Sequence, residues 1–138
     1  MEKEFDVWNE KKKAIHEDAA YVFFHPRELW FAHLGINVGF EQDGRGEGFL
    51  RPVLIVRKFN NEVLWALPLT RTSKPDSPYY ADFQYAGSPE VADAPLLSSV
   101  AILSQIRLID GKRLAYKIGT AHEEEFEAIK EKIRRLLV

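Results

Sequence analysis

Short apolar runs alternate along the chain with polar segments that are rich in glycine or proline, which is typical of a β-rich protein. The runs predict strands at residues 28–34, 50–59, 63–70 and 99–109. The polar triplet at 60–62 predicts a hairpin turn between the second and third strands. We therefore expect an α+β fold, mainly β with appended helices, whose small and strongly curved sheet or barrel differs from an alternating parallel α/β arrangement.

The segments between the strands differ in character. Four glycines fall among polar residues at 39–48, which we call the glycine-rich loop and predict to be a mobile surface loop. Residues 71–78 predict an exposed connection to an aromatic segment at 79–83, and residues 87–95 predict a second polar loop. Arg113-Leu114 is predicted to start a short helix or an edge strand.

A helix is predicted before the first strand. Within residues 3–20, Phe5, Trp8, Ile15 and Ala19 recur at helical spacing between charged residues, so the segment is interpreted as an amphipathic helix that packs on the domain. Pro26 ends the helical character. We divide the chain into a helical N-terminal extension, residues 1–26, and a main domain, residues 27–138.

A second helix is predicted at the other end of the chain. The spacing from Thr120 to Glu123 is that of a capping box. The first turn is acidic and the later turns are basic, as the helix dipole favours. The apolar face that follows consists of Phe126, Ile129, Ile133, Leu136 and Leu137.

Composition narrows the class of protein. With 138 residues, 46% hydrophobic and 29% charged, the chain is expected to be one soluble globular protein. It has no cysteine, which fits a reducing cytoplasm, and no apolar segment of membrane-spanning length, so we expect neither secretion nor a membrane partner.

The net charge of −2 conceals a local excess of positive charge. Between residues 100 and 120, Arg107, Lys112, Arg113 and Lys117 face one acid, Asp110. This distribution favours a local contact with a polyanion and argues against a broad, nonspecific coat of nucleic acid.

The candidate site is a pair of residues at strand ends. Arg51 opens an apolar strand directly after the glycine-rich loop, and Thr70 closes the next strand, so a fixed cation and a hydroxyl are expected at one rim of the core. We expect the neighbouring polar residues to support this pair, namely Glu41, Gln42, Arg71, Thr72 and Gln105.

The sequence gives less support to a metal site, a phosphate-binding loop or a serine nucleophile. The four histidines lack the spacing of helical metal ligands, so no metal site is predicted. The glycine-rich loop leads into a strand without the Lys-Ser/Thr ending of a phosphate-binding loop. Ser98, Ser99 and Ser104 lack the setting of an activated nucleophile. We expect no cofactor.

At these residues the sequence resembles a known family. The ordered motifs are Arg27-Glu28-Leu29-Trp30, Gly39-Phe40-Glu41-Gln42, Arg51-Pro52-Val53-Leu54-Ile55-Val56, Pro68-Leu69-Thr70, Ser104-Gln105-Ile106-Arg107-Leu108-Ile109-Asp110 and Lys112-Arg113-Leu114. Together they resemble the PemK/MazF-like toxins of type II toxin–antitoxin systems. The resemblance implies a small curved β-barrel with helices, and a homodimeric, metal-independent and sequence-specific endoribonuclease. Its implied partners are single-stranded RNA and a cognate antitoxin.

The resemblance also implies roles for individual residues. Arg51 matches the catalytic arginine of the family and Thr70 its catalytic threonine. The resemblance does not assign the proton acceptor; because arginine is a poor general base, Glu41 is a candidate on chemical grounds. The predicted RNA-binding residues are Phe40, Glu41, Gln42, Arg71, Thr72, Ser104 and Gln105. Two alternatives stay open on the same fold: a binding module without catalytic activity that holds an acidic peptide, and a toxin that binds a topoisomerase.

Overall fold

The computed structural model describes residues 2–87 and 96–137. In chain order, the elements of these residues are α1 (Phe5–Asp18), β1 (Glu28–His33), β2 (Leu50–Lys58), β3 (Val63–Thr70), β4 (Tyr80–Ala86), β5 (Leu97–Ile102), β6 (Arg107–Asp110), β7 (Leu114–Ala121) and α2 (Glu123–Leu136). The predicted α+β fold, mainly β with a helix at each end, is confirmed. Of the loop predicted at 87–95, residues 88–95 lie outside the described part of the chain.

The strands form a sheet that closes on itself. Each pair is antiparallel, and the order is β2-β1-β7-β4-β5-β3, with β3 pairing back to β2. These six strands make a closed ring, and β6 extends the sheet from β3. The predicted strong curvature follows, because a right-handed twist accumulated over several strands brings the two edges together.

The strand predicted at 99–109 is wrong as a single element. β5 and β6 are separated by a 3₁₀ turn at Leu103–Gln105, and both strands pair with the same edge of β3. Leu69 pairs with Ala101, and Ala66 pairs with Arg107. The two partners are therefore six residues apart in the chain, while the β3 residues that they contact are three apart. Leu103 is buried although it lies in the turn, so an apolar residue occupies this position. For this reason the sequence shows no sign of the interruption between β5 and β6.

The segment after Arg113 is also different from the prediction. A 3₁₀ turn at Gly111–Arg113 precedes β7, which pairs with β1 on one side and β4 on the other and so is not an edge strand. Close approach to β4 depends on Gly119, where a Cβ would lie 2.2 Å from the Ala86 carbonyl oxygen. Such a glycine inside a strand marks a tight contact between backbones.

The C-terminal helix forms as predicted, but its capping box does not. Thr120 lies in β7, where it pairs with Glu28 and Ala86, and His122 is the N-cap residue without a capping bond from its side chain. Thr120 therefore takes part in strand pairing and does not cap the helix, although its spacing from Glu123 predicts a cap. The acidic first turn and basic last turn are present, as predicted.

Two apolar clusters form the core. One lies beneath α2 and includes Leu54, Leu67 and Phe126, while the other includes Ile55 and Phe24. Consecutive residues of β2 enter different clusters because side chains alternate across a strand. Within the predicted apolar face of α2, Phe126, Ile129 and Ile133 are buried, but Leu137 is exposed.

The predicted N-terminal helix is confirmed as α1. Trp8 is buried, whereas Phe5, also predicted for the apolar face, is half exposed. In the described part of the chain, no helix is both long and apolar enough to cross a membrane.

The packing of α2 predicts a large loss of stability for Phe126→Ala. Its side chain is 3% exposed in the cluster beneath α2, so truncation should lower the free energy of unfolding by about 3–5 kcal/mol. Urea denaturation measures this change. Phe23→Ala is the matched control, because Phe23 is 88% exposed and its removal should change stability by less than about 0.5 kcal/mol. Equal effects of the two substitutions would contradict the described packing of α2.

Candidate functional site

Arg51 and Thr70 line one cleft, of about 630 Å³, at the ends of β2 and β3. Arg71 and Thr72, which follow Thr70 in the chain, line the same cleft. The antiparallel pairing of β2 with β3 brings the start of one strand beside the end of the other. The structure thus brings together four of the predicted site residues, and we call this space the arginine–threonine cleft.

The Arg51 guanidinium is fixed by two backbone carbonyls. Its Nε donates to the Asp43 oxygen at 2.6 Å, and one terminal nitrogen donates to the Leu69 oxygen at 3.0 Å. Asp43 belongs to the glycine-rich loop, and Leu69 immediately precedes Thr70 in β3. Arg51 therefore ties the loop to the strand that carries the hydroxyl.

The electrostatic environment of Arg51 is that of a partly desolvated cation. Burial and the nearby positive charge of Arg45 lower the pKa of Arg51 from its usual value, while the Asp43 carboxylate acts in the opposite direction. An arginine remains protonated throughout the physiological range. A fixed positive charge consequently lies at the cleft, and its two protein partners are neutral carbonyl oxygens.

Thr70 is half-buried at the end of β3. Its hydroxyl oxygen accepts a hydrogen bond from the Thr72 amide at 3.4 Å, so it helps to shape the turn that leaves the strand. The long distance makes this bond weak. The hydroxyl therefore retains capacity to donate a hydrogen bond to a ligand.

Five other predicted residues line a second cleft, of about 600 Å³. They are Phe40, Glu41, Gln42, Ser104 and Gln105. Pro68 lines this second cleft and Leu69, the next residue of β3, lines the arginine–threonine cleft, so β3 contributes to both. We call the second space the loop cleft. The nine predicted site residues thus divide between two clefts.

Gln105 connects the two walls of the loop cleft. Its side-chain oxygen accepts from the Gln42 amide at 2.8 Å, and its side-chain nitrogen donates to the Phe40 oxygen at 3.4 Å. Gln105 occupies this position because the 3₁₀ turn between β5 and β6 takes Ser104 and Gln105 out of regular strand pairing. The 3₁₀ turn that interrupts the predicted strand therefore also supplies residues that line the loop cleft.

Phe40 and Glu41 form the exposed tip of the glycine-rich loop. The Phe40 ring is fully exposed, a costly arrangement for an aromatic side chain in water. One Glu41 carboxylate oxygen accepts from the Val38 amide at 2.9 Å, which closes the turn beneath it. The loop therefore presents an aromatic face on a locally ordered turn.

Sequence reasoning missed several residues of the arginine–threonine cleft. Arg45 adds a second cation, and Tyr85, Ser98 and Ser99 add an aromatic ring and two hydroxyls. The backbone of Arg45 bridges to Leu50, which makes part of the glycine-rich loop a tight hairpin. The glycines around Arg45 signal such a turn, whereas Ser98 and Ser99 reach the cleft only through pairing of β5 with β4 and carry no local signal.

Metal ligands do not cluster in the part of the chain that the structure describes, where no group of three or more His, Cys, Asp or Glu side chains converges.

Comparisons with solved structures identify the fold. MazF from Deinococcus radiodurans is 19% identical with a TM-score of 0.59, over 84% of this chain and 97% of that one. The Mycobacterium tuberculosis toxin MazF-mt6 is 17% identical with a TM-score of 0.55, over 80% and 96%. An endoribonuclease from a mycobacterial species, solved in complex with its cognate antitoxin, is 16% identical with a TM-score of 0.56, over 83% and 95%. At these identities the comparison establishes a shared fold.

Comparison with family models identifies the family. A search of curated proteins gives no match. Residues 26–137 match the model described as PemK-like, MazF-like toxin of type II toxin–antitoxin system. This match contains both clefts and every strand of the described sheet. The chain therefore belongs to the PemK-like and MazF-like toxins of type II toxin–antitoxin systems.

Proposed function

We propose that this toxin is an endoribonuclease that cleaves single-stranded RNA, in particular mRNA, without a metal ion. The observation that carries the proposal is the Arg51 guanidinium, held by two neutral carbonyls beside Thr70 in an open cleft. Membership of the toxin family supports it, and so does the fold shared with proteins named as endoribonucleases.

The proposed reaction uses the chemistry of RNA itself. The 2′-hydroxyl gives up its proton to solvent and attacks the adjacent phosphorus. The bond to the 5′-oxygen breaks, that oxygen takes up a proton from solvent, and the products are a 2′,3′-cyclic phosphate and a 5′-hydroxyl end. Negative charge builds on the phosphate oxygens in the transition state, where Arg51 stabilises it and the Thr70 hydroxyl donates a hydrogen bond. One such preorganised donor lowers the barrier by about 2.7–4 kcal/mol.

In this proposal the loop cleft selects the RNA sequence. Phe40 stacks on an unpaired base, a contact that contributes about 1–3 kcal/mol. Ser104 and Gln105 offer a hydroxyl and an amide to base edges. In the arginine–threonine cleft, Arg71 and Thr72 offer a guanidinium and a hydroxyl to the RNA backbone. Glu41 and Gln42 complete the set of proposed RNA contacts. We propose that the loop cleft recognises a short, recurring sequence.

The proposed partners extend to protein. We propose that the toxin acts in the cytoplasm, that a cognate antitoxin neutralises it, and that it forms a homodimer. An exposed apolar patch supports self-association: Phe59, Trp65 and Leu108 are 45%, 38% and 55% exposed. Trp65 pairs with Leu108 between β3 and β6, and the Phe59 ring, just after β2, lies 5.0 Å from the Trp65 ring. A two-fold axis would place this patch against its own copy, so one surface serves both subunits.

Cleavage is predicted to require Arg51 and to survive chelation. With mixed single-stranded RNA and excess EDTA, the wild-type protein should produce cuts at a recurring short sequence, with cyclic-phosphate ends. Arg51→Ala should lower kcat by at least about 100- to 1,000-fold, because it removes a charged donor from the transition state. Sequencing of the RNA ends and single-turnover kinetics measure both results.

Arg57→Ala is the matched control for this experiment. Arg57 lies in the same strand but is exposed and stacks over Phe59, with 5.5 Å between its guanidinium carbon and the ring centre. Its substitution should leave kcat unchanged. A folded Arg51→Ala protein that cuts RNA at the wild-type rate would refute the mechanism, and RNA left intact by the wild-type protein would favour the alternative of a binding module.

Phe40→Ala is predicted to weaken RNA binding about tenfold, since it removes one base-stacking contact. The measurement is fluorescence anisotropy with a short RNA that carries a non-cleavable 2′-deoxy linkage at the cut site. Phe23→Ala is the control, because Phe23 is also strongly exposed but lies outside both clefts. Equal affinity of the two variants would remove Phe40 from the RNA-binding set.

Leu108→Asp is predicted to convert a dimer to a monomer. A carboxylate at the centre of an apolar interface is desolvated against its own copy, which disfavours association. Light scattering over a range of protein concentrations measures the mass. Leu137→Asp, at another exposed leucine, is the control and should leave the mass unchanged. A wild-type protein that remains monomeric at high micromolar concentration would disprove the dimer.

A further inference from the structure

The N-terminal helix α1 packs against both ends of the connection between β1 and β2, residues 34–49, which contains the glycine-rich loop. This helix lies outside the region that matches the toxin family. The buried Trp8 ring fills the space beside Gly35, where a Cβ would come within 1.9 Å of it. At the other end of the connection, the rings of Trp8 and Phe49 are 5.4 Å apart. The helix is thus anchored where the connection leaves β1 and where it returns to β2.

Lys3, immediately before α1, contacts the loop itself. Its ammonium donates to the Asn37 oxygen at 2.6 Å and to the Gly39 oxygen at 3.0 Å, and it lies 3.1 Å from the Asp43 carboxylate. These three acceptors match the three donors of an ammonium group. The side chains of Lys3 and Asp43 are 24% and 26% exposed, so the ion pair is partly shielded from solvent.

Asp43 connects this contact to the arginine–threonine cleft. One oxygen of its carboxylate accepts from the Asn37 amide at 2.7 Å, and the other pairs with Lys3. The backbone oxygen of the same residue accepts from Arg51 Nε at 2.6 Å. Asp43 is therefore held through its side chain by Lys3 and holds Arg51 through its main chain.

We propose that Lys3 is a positioning residue, which fixes Asp43 and thereby the carbonyl that orients the Arg51 guanidinium. The N-terminal extension then completes the active site that the main domain provides. The effect on catalysis rests on the proposed function, while the effect on the Arg51 hydrogen bond does not. Misplacement of a catalytic group by about 1 Å costs about 100-fold in rate, so a small displacement of Asp43 has a measurable consequence.

The experiment compares Lys3→Met with Lys13→Met. Methionine keeps the length of the lysine stem and removes the ammonium. Lys13 lies on α1, and among the described residues it pairs with the exposed Glu10 alone, at 3.5 Å, so its substitution removes the same charge without contact to the loop. Circular dichroism and thermal unfolding check that both variants keep their fold.

The first measurement is hydrogen exchange at the Arg51 Nε, observed by ¹⁵N NMR in the absence of RNA. Lys3→Met should accelerate this exchange about tenfold or more, because the bond to the Asp43 carbonyl opens more often. Lys13→Met should match the wild type. Exchange that is unchanged in Lys3→Met overturns the proposal, whether or not the protein cleaves RNA.

The second measurement is the cleavage rate. Lys3→Met should lower kcat about 10- to 100-fold with little change in KM, since Arg51 acts in the transition state. Asp43→Asn should give a similar decrease, and the double variant should be no slower than either single variant, as expected for residues that act in one chain of contacts. If the losses in kcat of the two single variants add in the double variant, or if kcat is unchanged although exchange is faster, then Lys3 does not support catalysis by positioning Arg51. A wild-type protein without cleavage activity counts against the proposed function alone, because the exchange measurement still decides the positioning of Arg51.

Discussion

The arrangement of this domain depends on strand β3, which pairs along one edge with β2 and divides its other edge between β5 and β6. Pairing with β2 and β5 closes the ring of strands. Two consecutive strands can pair with one edge of β3 only if the chain between them leaves the sheet. The 3₁₀ turn at Leu103–Gln105 is the segment that does so. Ring closure and the placement of Gln105 in the loop cleft are thus consequences of the same pairing.

The second constraint is the charge of Arg51. A partly buried guanidinium requires hydrogen-bond partners, and a carboxylate would be the strongest of them. Arg51 instead donates two of its five N–H groups to the carbonyls of Asp43 and Leu69, which do not neutralise its charge. The carboxylate of Asp43 is paired directly with Lys3 and acts on Arg51 only at longer range. The positive charge of Arg51 can therefore attract an anion.

Local patterns in the sequence predicted the elements better than their connections. Short apolar runs predicted β2 and β3 to within a residue, because one hairpin contains both strands and their turn. The break between β5 and β6, the inner position of β7 and the loss of the capping box at Thr120 all arise from pairing with strands distant in sequence. A single sequence carries little record of such pairings, since the side chains involved look equally suitable for a continuous strand or a helix start.

The same limit applies to the candidate site. Arg51 and Thr70 stood out because each lies at the end of a predicted strand, whereas Ser98 and Ser99 reach the cleft through the pairing of β5 with β4. The assignment of RNA contacts came from the family resemblance, and the later match to the family model supports the resemblance without testing any single residue. The division into residues 1–26 and 27–138 likewise stays a prediction.

The contacts of the N-terminal helix have a physical reason in the composition of the loop. Ordering each residue of a flexible segment costs about 1–2 kcal/mol of conformational entropy, and glycine loses the most freedom. A loop with four glycines in ten residues is therefore poorly suited to hold the Arg51 guanidinium by itself. In this protein the backbone of the loop is bound by Asn37, Gln105 and Lys3, and the last of these comes from the extension. The bonds at Gly39, Gln42 and Asp43 therefore hold in place the part of the loop that contacts Arg51.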